Sequence, residues 1–316
     1  MKRCLYISVA VMVIIVVGLG CQRNQEGSPS RITIALVMKT LNNPFFMDMQ
    51  QGAQEAAKTY QVNLIAQAAE REVDVEKQMQ IIENLIQRKV NAICVTPSGS
   101  KEIVPAIYKA NQAGIPVMVV DTRIDTSSLR QMDAKIATFI GSDNVDGGRL
   151  AGKFLVEKLG GYGKIAILEG IPGHETGDAR LQGFHESVDP VPGIQVVTSQ
   201  TANWERDQGY NVFQNILQSN PDLKGVFACN DMMALGAIEA ISAAGKTSDI
   251  LVVGFDAVQD ARDAIQNGTM AGSIAQNPYE MGKLAIEYAY RLVNGEAIPK
   301  EIPVKIELIV KDQSSQ

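Results

Sequence analysis

Cysteine, histidine and tryptophan are scarce in this 316-residue chain, which has 4 Cys, 2 His and a single Trp, with aromatics at only 5%. So few thiols exclude a disulfide-rich scaffold. Two histidines leave little material for an imidazole metal centre. His174 and His185 stand eleven apart with no partnering Cys, a spacing that fits no metal site, so surface positions or a place behind a ligand are expected. An excess of basic charge is missing as well. The chain carries 29 Lys and Arg against 35 Asp and Glu, net −6, so the electrostatic footprint of a nucleic-acid binder is absent. The uncharged run over residues 4–20 is seventeen long, short of the roughly 20 that a spanning helix requires.

What is present is a chain with 46% apolar and 20% charged residues, enough to bury a sizeable core and long enough for about two domains. The start has its own logic. Met1-Lys2-Arg3 is basic, the run to Gly18-Leu19-Gly20 is apolar and ends in small residues, and Cys21 follows. That order is the pattern of an export signal over residues 1–20. Residues 21–30 are polar, with Gly27 and Pro29, and read as a tether.

From Arg31 onward, strand-length apolar runs alternate with helical periodicity. Strands are expected at 32–38, 62–66, 91–95, 116–120, 136–140, 164–168, 194–199, 225–228, 250–254, 270–275 and 302–310. Helices are expected after Pro44 and over 74–88, 101–113, 146–159, up to about 188, 205–218, 231–244 and from 278 to about 293. In the second of these, Val75, Met79, Ile82 and Ile86 share one face. Alternation with nearly continuous apolar strands predicts an α/β fold of parallel sheets covered on both faces. The segments 89–95 and 223–229 each follow a helix and end at a polar turn, which suggests two similar doubly wound lobes.

In open parallel sheets the ligand crevice lies outside the carboxyl ends of the strands. The polar residues just past the apolar runs are Lys39, Asn42, Asn43, Asp121, Asn230, Asp256 and Gln276. They form no nucleophile–base pair. A set of pure acceptors, pure donors and amides suits a neutral ligand rich in hydroxyls. An Asp at a strand-to-helix turn is often only a helix cap, and Asp231 is read that way. Phe45, Phe46 and Trp204 add flat apolar surface of the kind that buries a sugar ring. Trp204 lies in a polar segment between strand and helix, which favours the pocket over the core.

These motifs resemble the periplasmic sugar-binding proteins of the ribose and allose type, the type I solute receptors of ABC importers. The resemblance runs from Arg31 to Lys311. Its most specific pieces are the segments 39–46, 142–148, 202–206, 230–236, 252–256 and 275–278. Carried over by position, it implies sugar contacts at Asn43, Phe45, Phe46, Asp121, Arg180, Trp204, Asn230, Asp256 and Gln276. Lys39 leans toward the allose receptors, and Arg123 lies one residue beyond its place in the ribose pattern. The loop Gly173-His174-Glu175-Thr176 matches neither type closely. The family architecture implies a first lobe of 31–141 plus about 277–304 and a second of about 142–276 plus 305–316, joined by three crossings. It implies a monosaccharide ligand, a membrane permease as partner, a monomer, no catalytic residues, no metal and no cofactor. Cys21 resembles the acylated cysteine of bacterial lipoproteins, with Gly18 where an aliphatic residue is usual, so a lipid anchor on an exported protein is expected.

Other classes fare worse on the same residues. A glycosidase needs one carboxyl raised by an apolar setting, and neither Asp121 nor Asp256 lies in an evidently apolar stretch. A repressor needs a helix-turn-helix where this chain has its signal. A receptor that presents bound sugar to a membrane sensor remains the alternative. Cys94 and Cys229 are expected as buried free thiols.

Overall fold

An apolar, β-branched run with helices on either side folds as a strand buried on both faces. β1 (Thr33–Met38) shows the consequence. Ile34, Leu36 and Met38 join one apolar cluster with α1 (Pro44–Thr59), while Ala35 and Val37 join another with α2 (Val75–Gln87) and α3 (Val104–Gln112). The computed structural model describes residues 31–311. The expected signal, tether and acylated Cys21 therefore lie outside the described residues. Residues 31–311 lie in one compact unit.

The first sheet has the order β2 (Asn63–Ala68), β1, β3 (Ala92–Val95), β4 (Val117–Val120), β5 (Phe139–Gly141), β11 (Glu301–Pro303), all parallel. The second runs β7 (Ile194–Thr201), β6 (Gly163–Glu169), β8 (Leu223–Ala228), β9 (Leu251–Asp256), β10 (Gly272–Ala275), β12 (Glu307–Val310), with only β12 antiparallel. The two orders are the same. β3 and β8, whose sequences look alike, hold equivalent places in them. The α/β class with two doubly wound sheets is borne out.

The chain changes sheet three times. It leaves the first after β5, where α5 (Asn144–Lys158) packs on the second. It returns after β10 through α10 (Pro278–Val293), which lies against α1, and crosses last between β11 and β12. The expected single strand over 302–310 is thus corrected to two strands in different sheets. Pro303 offers no N–H to continue a ladder, and Val304 N–H donates instead to Gly141 O. Two helices escaped the periodicity reading, α4 (Thr126–Gln131) and α9 (Gln259–Asn267). Both are short. Asp125 caps the first and left-handed Gly268 ends the second.

One close approach positions the site. α5 and α6 (Glu175–Val188) lie backbone to backbone, and a Cβ on Gly148 would stand 2.0 Å from Arg180 O. Helix propensity alone predicts that Gly148→Ala stabilises by about 1 kcal/mol. Overpacking predicts the opposite, a loss of about 1–3 kcal/mol. Urea unfolding of Gly148→Ala should show a lower midpoint, and a raised midpoint would contradict this packing.

Candidate functional site

The carboxyl ends of the two sheets face each other across a small cavity. Lys39, Asn43, Phe45, Phe46, Asp121, Arg180, Trp204, Asn230, Asp256 and Gln276 all line it. Asn42 does not. It is exposed, and its amide donates to Glu70 O at 2.9 Å. Two lining residues were missed, Glu72 and Thr176. Glu72 belongs to the charged stretch Glu70-Arg71-Glu72, which reads as solvated, although it follows β2 and the strand-end rule points there. Thr176 sits in the first turn of α6, in the segment that matches neither the ribose nor the allose type closely.

On the first sheet's side the arrangement is built around a cation. Lys39 Nζ lies 3.5 Å from Asp121 Oδ2 and 3.8 Å from Glu72 Oε2, all three residues being buried. Glu72 Oε1 accepts from Asn43 Nδ2 at 3.1 Å. Asn43 Oδ1 in turn caps α1 by accepting from Phe45 N–H at 3.1 Å. That fixes which way the Asn43 amide points. Phe45 and Phe46 meet edge to face, with ring centroids 5.2 Å apart. Burial raises the Glu72 carboxyl above the ordinary range, with Lys39 and Asn43 opposing.

On the second sheet's side the cation is Arg180, 3% exposed. Its guanidinium stands 3.8 Å from the Phe255 ring centroid. Nε donates to Asn144 Oδ1 at 2.9 Å, Nη1 donates to Cys229 O at 2.5 Å, and Nη1 lies 3.7 Å from Asp256 Oδ1. Gln276 Nε2 donates to the same Asp256 oxygen at 2.7 Å. Asn230 caps α8 (Asp231–Ala243) by accepting from Met233 N–H at 2.9 Å, and its Nδ2 donates to Trp204 O at 3.1 Å. The cap is therefore Asn230, which corrects the reading of Asp231. Asp231 points inward and is fully buried. Trp204 is 4% exposed and at the cavity wall. Trp204 Nε1 and Gln276 Oε1 are buried without a partner among the described residues, which leaves hydrogen-bonding capacity in two residues of the wall.

Backbone strain gathers at the same place. Asp121, Trp204 and Asp256 have φ of 67°, 68° and 113°, conformations costing roughly 1–3 kcal/mol each in residues other than glycine. Such strain persists where the surroundings over-determine it.

The halves also touch directly. Thr176 Oγ1 donates to Thr122 Oγ1 at 3.0 Å, Glu175 N–H donates to Ser100 Oγ at 3.2 Å, and His174 Nε2 lies 3.3 Å from Pro97 O. His174 is a buried residue of this seam, and burial together with Lys39 and Arg180 holds its imidazole well below its usual pKa. Cys94 and Cys229 are buried free thiols. Asp256 corrects another expectation, since its setting is desolvated. Burial, with Asp231 and Asp121 adding to it, raises its carboxyl well above the ordinary range against the pull of Arg180.

A family profile described as "Periplasmic binding protein domain" matches residues 34–297. The chain belongs to the periplasmic binding protein family. This binding protein is 40% identical over 286 residues to the ribose import binding protein of Bacillus subtilis, covering 90% of each. It is 35% identical over 271 residues to the D-allose-binding periplasmic protein of Escherichia coli, covering 85% of this chain and 86% of that one. A solved solute-binding protein from Actinobacillus succinogenes with bound D-allose superposes with a TM-score of 0.86 at 42% identity, over 90% of this chain and 99% of that one. The family is one of non-catalytic binding proteins, so the raised carboxyl at Asp256 is not read as a general acid.

The carboxyls also set a pH dependence. Burial lifts Asp231 to about 7, against hydrogen bonds from Ser273 and Val258. Folded-state pKa values above the unfolded value near about 4 favour the folded form at low pH. For Asp231 that contribution is full below about pH 4 and lost as pH rises through about 7. Asp231→Asn removes it. The melting temperature of the variant should therefore fall less between about pH 4 and about 8 than that of the wild type, and an equal fall would contradict the assignment.

Proposed function

We propose that this protein is the extracytoplasmic substrate-binding component of an ABC importer, taking one monosaccharide, in pyranose form, between its two lobes. The observation that carries the reading is the convergence of strand-end side chains from both sheets on one small cavity. A neutral ring with many hydroxyls needs acceptors and donors on every side. Asp121 and Asp256 accept, Lys39 and Arg180 donate, and Asn43, Asn230 and Gln276 do both. Phe45, Phe46 and Trp204 supply flat surface for the C–H faces of the ring. Lys39 is paired with Asp121 and Glu72, and Arg180 with Asp256, within the wall, so neither cation needs a counter-charge from the ligand and a neutral one suits the site.

Lobe one comprises 31–141 plus about 277–304, and lobe two about 142–276 plus 305–316. A ligand that contacts both lobes favours the closed arrangement by its differential affinity for it, and the closed form is what a permease distinguishes. Export through residues 1–20 and acylation at Cys21 place the protein at the outer face of the membrane, since two or more acyl chains suffice for stable anchoring. Relatives named for ribose and D-allose, and a solved relative with bound myo-inositol, support a neutral ring rich in hydroxyls as the ligand.

Calorimetric titration of the chain from residue 22 onward with D-allose, D-ribose, D-psicose, D-glucose, D-galactose, D-xylose and myo-inositol tests this. One sugar should bind saturably, one to one. Arg180→Ala and Asp256→Ala should each weaken that binding by about 10- to 150-fold, because a hydrogen bond to a charged group is worth about 1.5–3 kcal/mol. No heat from any sugar with folded protein, or unchanged affinity in both variants, would contradict the proposal.

A further inference from the structure

Asp256 presents its carboxylate to the cavity from a residue with φ of 113°, and Ala257 follows at φ 52°. Two left-handed residues in succession do not hold themselves at the end of a strand. Their neighbours show what does. Asp231 Oδ2 accepts from Val258 N–H at 2.9 Å. Asp231 Oδ1 accepts from Ser273 Oγ at 2.7 Å, and Ser273 Oγ accepts from Ala257 N–H at 3.0 Å. One carboxylate thus ties down the two amides that follow Asp256, one directly and one through a hydroxyl.

The strands are built to admit it. Gly254 and Ser273 are paired neighbours on β9 and β10. A Cβ on Gly254 would stand 2.1 Å from Asp231 Oδ1. The glycine is the space that the carboxylate occupies, and the serine opposite supplies its hydroxyl. Both Asp231 and Ser273 are fully buried, so no water competes for these bonds. The other charged groups facing this network are Asp256 itself and Arg180 from α6. Arg262 Nε donates to Ala257 O at 2.8 Å, which holds the carbonyl side of the same turn.

We propose that Asp231 is a positioning residue of the sugar site, acting with Ser273 to hold the strained turn that aims Asp256. The proposal rests on the sugar-binding reading given above. Asn in place of Asp231 keeps the shape but offers one acceptor where the carboxylate offers two. Its NH₂ group faces either the Val258 N–H, where two donors oppose each other, or the Ser273 side chain, whose hydroxyl hydrogen then loses its acceptor. Ser273→Ala removes the relay and leaves the carboxylate.

The test combines amide hydrogen exchange with calorimetry on the chain from residue 22 onward, which contains the whole compact unit. In Asp231→Asn and in Ser273→Ala, exchange at Ala257 and Val258 should quicken at least tenfold, with β8 and α1 unchanged. The sugar that binds wild type best, from the panel beginning with D-allose and D-ribose, should bind each variant about tenfold or more weakly. The double variant should be no weaker than the worse single one, since the residues act as one unit. Unchanged exchange at 257–258, exchange quickened evenly through both sheets, or additive losses of affinity would overturn the proposal. Ser273→Ala keeps every charge and decides the matter if Asp231→Asn fails to fold. Should wild type bind no sugar, the functional reading falls, while the exchange result still decides whether Asp231 holds the turn.

Discussion

A buried guanidinium organises half of the cavity. Arg180 has lost its water, and an unpaired buried charge is expensive. Its surroundings answer that cost with the Phe255 face, the Asn144 and Cys229 oxygens and the Asp256 carboxylate. One comes from α5, one from the residue just past β8 and two from β9, so satisfying one side chain of α6 ties these elements together. Lys39 does the same across the cavity with Asp121 and Glu72. The candidate site is two charge clusters, one per sheet, facing each other across one narrow cavity.

That construction explains why the strained residues are where they are. Asp121 and Asp256 sit at equivalent strand ends, and turning a carboxylate off the strand axis into the crevice requires an unusual backbone. The cost is met by packing and hydrogen bonding nearby, in Thr122, which donates to Asp121 at 2.9 Å, and in the Asp231–Ser273 pair. A rigid wall of this kind binds by pre-organisation, losing little freedom when a ligand arrives. The direct contacts of the seam are few: Thr122 with Thr176, Ser100 with the Glu175 amide, Pro97 with His174, and an Arg71–Glu205 ion pair at 3.5 Å.

Most of the fold was legible because each strand is a short apolar run and each long helix is amphipathic, and the same holds for the duplication of β3 in β8. The site was legible for a related reason. A parallel sheet puts its ligand at strand ends, so Lys39, Asp121, Asn230, Asp256 and Gln276 stood out without any coordinates. Arg180 lay mid-helix, outside that rule, and entered through the family resemblance. Glu72 was hidden by the exposed charges flanking it. Asp231 looked like a cap because sequence does not show whether Asn230 or its neighbour turns inward. Residues 302–310 read as one strand because periodicity carries no information on which sheet a segment joins.

A crystal structure of the protein with D-allose or D-ribose tests the central claim most directly. The account predicts a sugar ring in the cavity, with hydroxyls on Lys39 and Asp121 from one sheet and on Arg180 and Asp256 from the other. A ring in the neighbouring groove lined by Asp48, Arg262, Tyr279 and Lys305, or one held by a single sheet, would contradict it.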